Sequence, residues 1–282
     1  MKKISFLLFT ILLLVIGSNG HEFWLKPSEY ILNKPSIVFI KFNIGENFLG
    51  ENWKGNNSNV ELLNYYSPNG SAINLTNTGL ASKGDSLQLI IKLPGTHIVT
   101  YTSKNNFISL NAKAFNDYLV EDGLTEAIDY RKAHNEDTLV GNELYQRNCK
   151  TIIQYDNYFD NHCTQQTNLT LDIVPSDHIY KGKFLGNELI HERAYTVFYK
   201  NKPLPFVTVK YWCKQKDGKL VAQQNKTNKK GVVYFNHEEG ETMISCVKME
   251  RINNNDTAQW QSYWGSLSFN YRKGNLFKKS VQ

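Results

Sequence analysis

The sequence predicts an all-β protein: two β-sandwich domains of the immunoglobulin or transthyretin kind, the first interrupted by a short helical insertion. Three observations carry that expectation. From Tyr30 to Leu110 short β-rich runs alternate with turn residues, as in SIVFIKFNIG, VELLNYYSPNG, SLQLIIKLPG, THIVTYTS and NFISL, a rhythm typical of antiparallel sandwiches and barrels. Between about 113 and 150 the apolar period becomes helical. After a polar link near residues 176–185 a second alternating pattern begins.

The first twenty residues, MKKISFLLFTILLLVIGSNG, place two lysines before an apolar run from Ile4 to Ile16 and end in small or polar residues. This is the three-part order of a cleavable secretory signal. The run is shorter than the ~20 residues that span a bilayer. Cleavage near Gly20 would leave His21 first, and the address implied is periplasmic or secreted, with peripheral or no membrane contact. Lys2 and Lys3 would leave with the signal, so 30 basic side chains would face 26 acidic ones. So mild an excess, without a long basic run, argues against nucleic acid as a partner.

Within residues 21–178, the N-terminal domain, Pro68-Asn69-Gly70 and Pro94-Gly95 supply the backbone angles that tight turns need. Phe115, Tyr118 and Leu119, then Leu124, Ala127, Ile128 and Arg131, mark two short helices with Gly123 as the stop between them. A third helix is expected over Glu143–Lys150, running into a strand at Thr151–Tyr155. Leu169–Pro175 reads as a last strand returning to this domain. In residues 179–282, the C-terminal domain, Ala194–Tyr199, Phe206–Trp212, Gly231–Phe235, Thr242–Val247 and Trp264–Phe269 continue the series of strands.

Cys149, Cys163, Cys213 and Cys246 make an even count in an exported chain, which favours disulfides. Spacing suggests Cys149–Cys163 and Cys213–Cys246, the latter as a clamp between strands, although four cysteines allow three connectivities. None lies close enough to another for a zinc cluster. Phosphate-binding loops, a nucleophile elbow and HExxH are all missing from the sequence, so no enzyme class with a local signature is indicated.

HEFWLKP at the expected mature start, IGENFLGE at residues 44–51, PGTH at 94–97, FNDYLVEDGL at 115–124, ELYQRNCK at 143–150, LTLDIVP at 169–175, NKKGVVYF at 228–235 and WQSYWGSLSF at 260–269 follow one another in a familiar order. With them the chain resembles an exported bacterial family classed as a domain of unknown function and often labelled a nickel or cobalt uptake component. The resemblance covers nearly the whole chain after residue 20. It implies an all-β fold with a helical insertion, a periplasmic or secreted address, and metal handling beside a membrane uptake system. One departure stands after Cys246, where Lys248-Met249 occupies the place of a His-Met pair.

An N-terminal histidine offers its α-amine and Nδ1 to one metal ion. The amine titrates near 7.7–8.0, so it gives up its proton at little cost near neutral pH. Two nitrogens suit nickel, cobalt, copper or zinc rather than calcium or magnesium. His97, just past a Pro-Gly turn, is the preferred second ligand. Glu46 and Glu51 are candidates for an oxygen ligand or for orienting His21; as structural residues they would flank a turn at Gly50. The remaining histidines are His134, His162, His178, His191 and His237: His178 beside Asp177 and His191 beside Glu192 are pairs that could equally be solvated loops, and His162 beside Cys163 reads as a surface residue. Arg131, Glu143 and Arg147 read as an ion-pair network holding the insertion to the sheet, and Trp260 with Trp264 as core rather than a sugar platform.

The leading expectation is therefore a periplasmic or secreted, non-enzymatic metal-binding protein that supplies a membrane uptake system. The alternative is a carbohydrate- or protein-binding module of the cell envelope, and a copper-dependent oxidative enzyme is a third, weaker reading.

Overall fold

The computed structural model describes residues 21–53, 57–77, 86–185 and 188–273, so the expected signal at 1–20 lies outside the described residues. In chain order the first strands are β1 (Glu22–Pro27), β2 (Ile31–Leu32), β3 (Ser36–Glu46), β4 (Leu49–Asn52), β5 (Val60–Tyr66), β6 (Ala72–Asn74), β7 (Ser86–Ile91), β8 (Gly95–Ser103) and β9 (Asn106–Leu110). Helices α1 (Ala112–Glu121) and α2 (Thr125–Ala133) follow. Then come β10 (Gly141–Tyr155), β11 (Leu171–Pro175), β12 (Phe184–Leu185), β13 (Glu188–Leu189), β14 (Glu192–Tyr199), β15 (Lys202–Pro203) and β16 (Thr208–Lys214). The last are β17 (Leu220–Lys226), β18 (Val232–Asn236), β19 (Gly240–Arg251) and β20 (Trp260–Tyr271). The protein is all-β, as expected, with one helical hairpin.

A ten-stranded sheet is the frame. Its order is β17-β16-β19-β20-β10-β8-β5-β6, with β2 and β9 on β10, and β10 runs parallel to β20. Strands from either side of residue 178 thus share one sheet. A small sheet of β1, β3, β4 and β7 covers one part of it, and a second of β11, β14, β15 and β18 covers another. The period of two along a strand separates the two cores. On β8 and β10, Ile98 and Ile152 enter the core beneath β11 and β14, whereas Val99 and Ile153 enter the core beneath β1 and β3. The helices pack Phe115, Tyr118, Leu119 and Leu124 onto Val247, Met249, Trp260 and Trp264. Asn111 caps α1 by accepting from the Ala114 amide, and Gly123 (φ 65°) ends it at a point where a Cβ would lie 2.2 Å from Thr208 Oγ1.

Strand β1 is held on three sides. One edge pairs with β3 from Glu22↔Gly45 to Pro27↔Ile40. Along the other edge Ser266 Oγ donates to the Phe23 carbonyl at 2.7 Å and Ser268 Oγ donates to the Leu25 carbonyl, so side chains satisfy carbonyls that an edge strand usually leaves open. Phe23 stacks on Tyr101 at 5.3 Å and Leu25 is fully buried beside it. On the opposite face Trp24 meets Phe48, Trp212 and Met243, while Lys26 pairs with Glu241 at 2.9 Å.

Several sequence expectations change. Glu143–Lys150 is not a helix but part of β10. The strand carries polar residues on both faces into buried surroundings, so no period-2 alternation of apolar residues marks it. Leu171–Pro175 pairs with β14 rather than returning to the first group of strands. Strand β17, LVAQQNK, went unpredicted because its mixed, largely exposed side chains carry no pattern. The four cysteines are buried and free. Cys149 and Cys163 lie in different cores. Cys213 is opposite Thr242 on the neighbouring strand, four residues from Cys246, which separates them by roughly 13 Å at strand rise, against about 4.4–6.8 Å between the Cα atoms of a disulfide.

Two outcomes are expected. Leu25→Ala should lower the unfolding free energy by about 2–5 kcal/mol in urea titrations followed by tryptophan fluorescence. Thiol titration of denatured, unreduced protein should find all four cysteines reactive, and protection of Cys213 together with Cys246 would contradict the register of β16 and β19.

Candidate functional site

The end of the sheet where β1 begins gathers the residues with the richest chemistry. His21 precedes β1, and its Nδ1 lies 3.3 Å from Glu46 Oε1, with both side chains about half exposed at 50% and 41%. A two-residue hairpin turn places Glu46. Glu46 pairs with Leu49, and the intervening Asn47 and Phe48 both have positive φ, 51° and 59°, as a type I′ turn requires. A phenylalanine there is uncommon, and its ring is held against Trp24 at 5.2 Å. Gly45 faces Gly50 across the hairpin; a Cβ on Gly50 would come within 2.2 Å of the Ile44 carbonyl. The turn therefore falls at Asn47-Phe48, not at Gly50. Glu51 sits opposite Ile44, exposed. Next to the turn, a surface pocket of about 300 Å³ is lined by Asn47, Glu121, Lys210, Trp212, Gln223 and Gln224.

Behind this surface lies a buried cluster of charges. Lys210 Nζ is 2.7 Å from Asp122 Oδ1 and 4.0 Å from Glu22 Oε1. Burial pushes the Glu22 carboxyl up to about 7, with Lys210 opposing part of the effect, and raises Asp122 for the same reason. On β10, Glu143 Oε1 accepts from Tyr118 (3.2 Å) and from Ser262, and burial lifts it to about 7. Arg147 lies over Trp264 at 4.5 Å and over Tyr145 at 5.1 Å, and its Nη1 has no partner among the described residues. Three carboxyls thus share two bases in a largely buried region, and the neutral form of a carboxyl is favoured there. The expected network of Arg131, Glu143 and Arg147 does not form: Arg131 instead donates to Asn116 and the Leu139 carbonyl, lying over Phe115.

The structure sets His97 in a different environment. It is fully buried on β8; Nε2 donates to the Leu93 carbonyl at 2.8 Å and Nδ1 accepts from the Tyr65 hydroxyl at 2.7 Å. Burial holds its pKa below the usual value, consistent with a neutral ring whose two nitrogens are both occupied. The neighbouring Thr96 amide donates to Asp160 at 2.7 Å, and the same carboxylate holds His162 Nδ1 at 3.0 Å. His178, buried, lies 3.0 Å from Thr96 Oγ1. Thus PGTH ties the loop at Asp160 to the sheet. Trp260 and Trp264 are core residues, as expected. Among the described residues no group of three or more His, Cys, Asp or Glu side chains is arranged to hold a metal ion. Sequence reading missed Asp122, Lys210 and Asp160 because the contacts between Lys210 and Asp122 and between the Thr96 amide and Asp160 join segments far apart along the chain.

The molecule is thus an all-β sandwich protein whose charged site sits where its N-terminal strand enters the fold. The chain belongs to the family described as Domain of unknown function (DUF4198), whose model matches residues 18–247. Nothing among curated proteins matches it. Of solved structures, it is similar to the D0-D1 domain of Intimin at 12% identity and a TM-score of 0.22, over 88% of this chain and 97% of that one. It is also similar to dimeric latent PorU from Porphyromonas gingivalis at 11% identity and a TM-score of 0.19, over 89% of this chain and 20% of that one.

Glu143 makes stability depend on pH with a defined sign. Its folded pKa of about 7 lies above the ordinary 4.5, so the folded state holds the proton more tightly and stability falls as pH rises from about 4.5 to 7. Buried His178, lowered to about 4, slopes the opposite way below its ordinary value. The difference between Glu143→Gln and the parent isolates the carboxyl: the variant should gain stability relative to the parent across that window in urea midpoints taken at successive pH values.

Proposed function

We propose that this is an exported metal-binding protein of the periplasm or cell exterior that holds a divalent transition metal at His21 and delivers it to a membrane uptake system. The observation that carries the reading is the His21 Nδ1 to Glu46 Oε1 separation of 3.3 Å at an accessible edge. Two ligands bound at about 2.0–2.1 Å in tetrahedral geometry lie about 3.3 Å apart, which is the separation of these two atoms. Cleavage after Gly20 would add the α-amine of His21 as a third ligand. His97 takes no part in this arrangement, since hydrogen bonds occupy both of its ring nitrogens. Nitrogen donors with one carboxylate suit nickel, cobalt, copper or zinc, in keeping with the metal handling that the sequence resemblance implies.

The envelope-binding alternative draws on the adjoining pocket, where Gln224, Asn47 and Glu121 offer hydrogen bonds to a polar ligand beside Trp212.

Calorimetric titration of protein beginning at His21 with nickel, cobalt, copper and zinc should give one-to-one binding. Affinity should be lost when one residue precedes His21 and should fall by about tenfold or more in Glu46→Gln. Absence of binding to protein with the native His21 terminus would remove metal handling as the function and favour the pocket's polar ligand.

A further inference from the structure

A second surface, remote in character from the charged site, lies on the outer face of the small sheet. Alternation along β3 and β7 sends Val38, Ile40, Leu87, Leu89 and Ile91 into the core and turns Ile37, Phe39, Lys41, Gln88 and Ile90 outward. Ile37 is directly opposite Ile90, and Phe39 is opposite Gln88. Ile37, Phe39, Ile90 and Leu93 are 52%, 47%, 59% and 50% exposed, forming a clustered apolar surface rather than scattered residues. Lys41 closes one end of it. Lys34 and Lys92, both exposed, close the other. None of these three lysines has an ion pair among the described residues. No carboxylate occupies an outward position of β3 from 36 to 41 or of β7; Glu29, beside Ser28, stands at the border.

We infer that this face docks peripherally on a membrane surface bearing anionic headgroups. A sheet face with short apolar side chains and lysines at its ends matches the acyl boundary and the phosphates above it, because lysine stems lie along apolar surface while their ammonium groups reach outward. Charge complementarity decides against a second copy of the chain, since two such faces in contact would bring Lys34, Lys41 and Lys92 against lysines of the same set. This docking is independent of the proposed metal site, which lies at the other end of β3.

Co-sedimentation of the chain from His21 onward, which contains all the described strands, with phosphatidylglycerol vesicles and with phosphatidylcholine vesicles tests the assignment. Binding is expected to the anionic vesicles only and to weaken as salt rises. The combined variant Lys34→Gln, Lys41→Gln and Lys92→Gln should bind roughly a hundredfold more weakly, at about fivefold per lysine. Phe39→Ser with Ile90→Ser, at exposed positions and with folding checked by circular dichroism, should lose at least about tenfold. The inference fails if anionic vesicles do not retain the native chain, or if the lysine variant binds as well as the parent. It also fails if light scattering shows a dimer that Ile90→Ser dissociates, because the face would then be covered by a second copy.

Discussion

The fold depends on one strand being gripped by a sheet it does not join. Among the described residues β1 pairs only with β3, yet its other edge runs along β20, where Ser266 and Ser268 donate to the carbonyls of Phe23 and Leu25. Its odd residues enter the core with Phe42 and Tyr101, and its even residues meet Lys210, Trp212 and Glu241. A buried carbonyl without a donor costs about 1–3 kcal/mol, so these serines are as much a part of the interface as the apolar contacts. Through this strand the small sheet, the ten-stranded sheet and the hairpin carrying Glu46 are set against one another, and His21 gains its position.

The same entry point concentrates charge. Glu22 follows His21 directly and faces inward to Lys210, whose ammonium is shared with Asp122 at the end of α1. Lys210 therefore links the helical hairpin to β1 and to β16. Glu143 repeats the arrangement from β10, accepting from Tyr118 on α1 and Ser262 on β20. With three carboxyls against Arg147 and Lys210, complete ionisation leaves a net negative charge in a largely buried region. Burial opposes this by raising the carboxyl pKa values, and a carboxyl that titrates near neutrality follows from packing alone.

Motifs that look functional divide on inspection of their partners. HEFWLKP is mostly a docking strand, with His21 at its exposed start beside Glu46. IGENFLGE is a hairpin whose glycines allow close backbone approach and whose turn presents Glu46. In PGTH, Gly95 adopts φ 128° where a Cβ would meet Asp160 and Pro68, and His97 is consumed by hydrogen bonds. ELYQRNCK is a strand buried on both faces, so polar residues that imitate a helical surface in the sequence belong instead to an interior network. The disulfide expectation failed for a related reason: cysteine spacing along the chain says nothing of strand register or of which face a residue takes.

Local chemistry sufficed for the all-β class, for α1 and α2 with their stop at Gly123, and for most of the strands, because period and turn residues are properties of neighbouring residues. Tertiary structure alone decided that β10 is a strand, that strands on both sides of residue 178 share one sheet, and that the cysteines stay apart. It alone removed His97 from the reach of a ligand and brought Glu22, Asp122, Glu143, Arg147 and Lys210 together. These depend on pairing between segments more than a hundred residues apart in several cases, as between β10 and β20, and no local pattern encodes which strand will lie beside which.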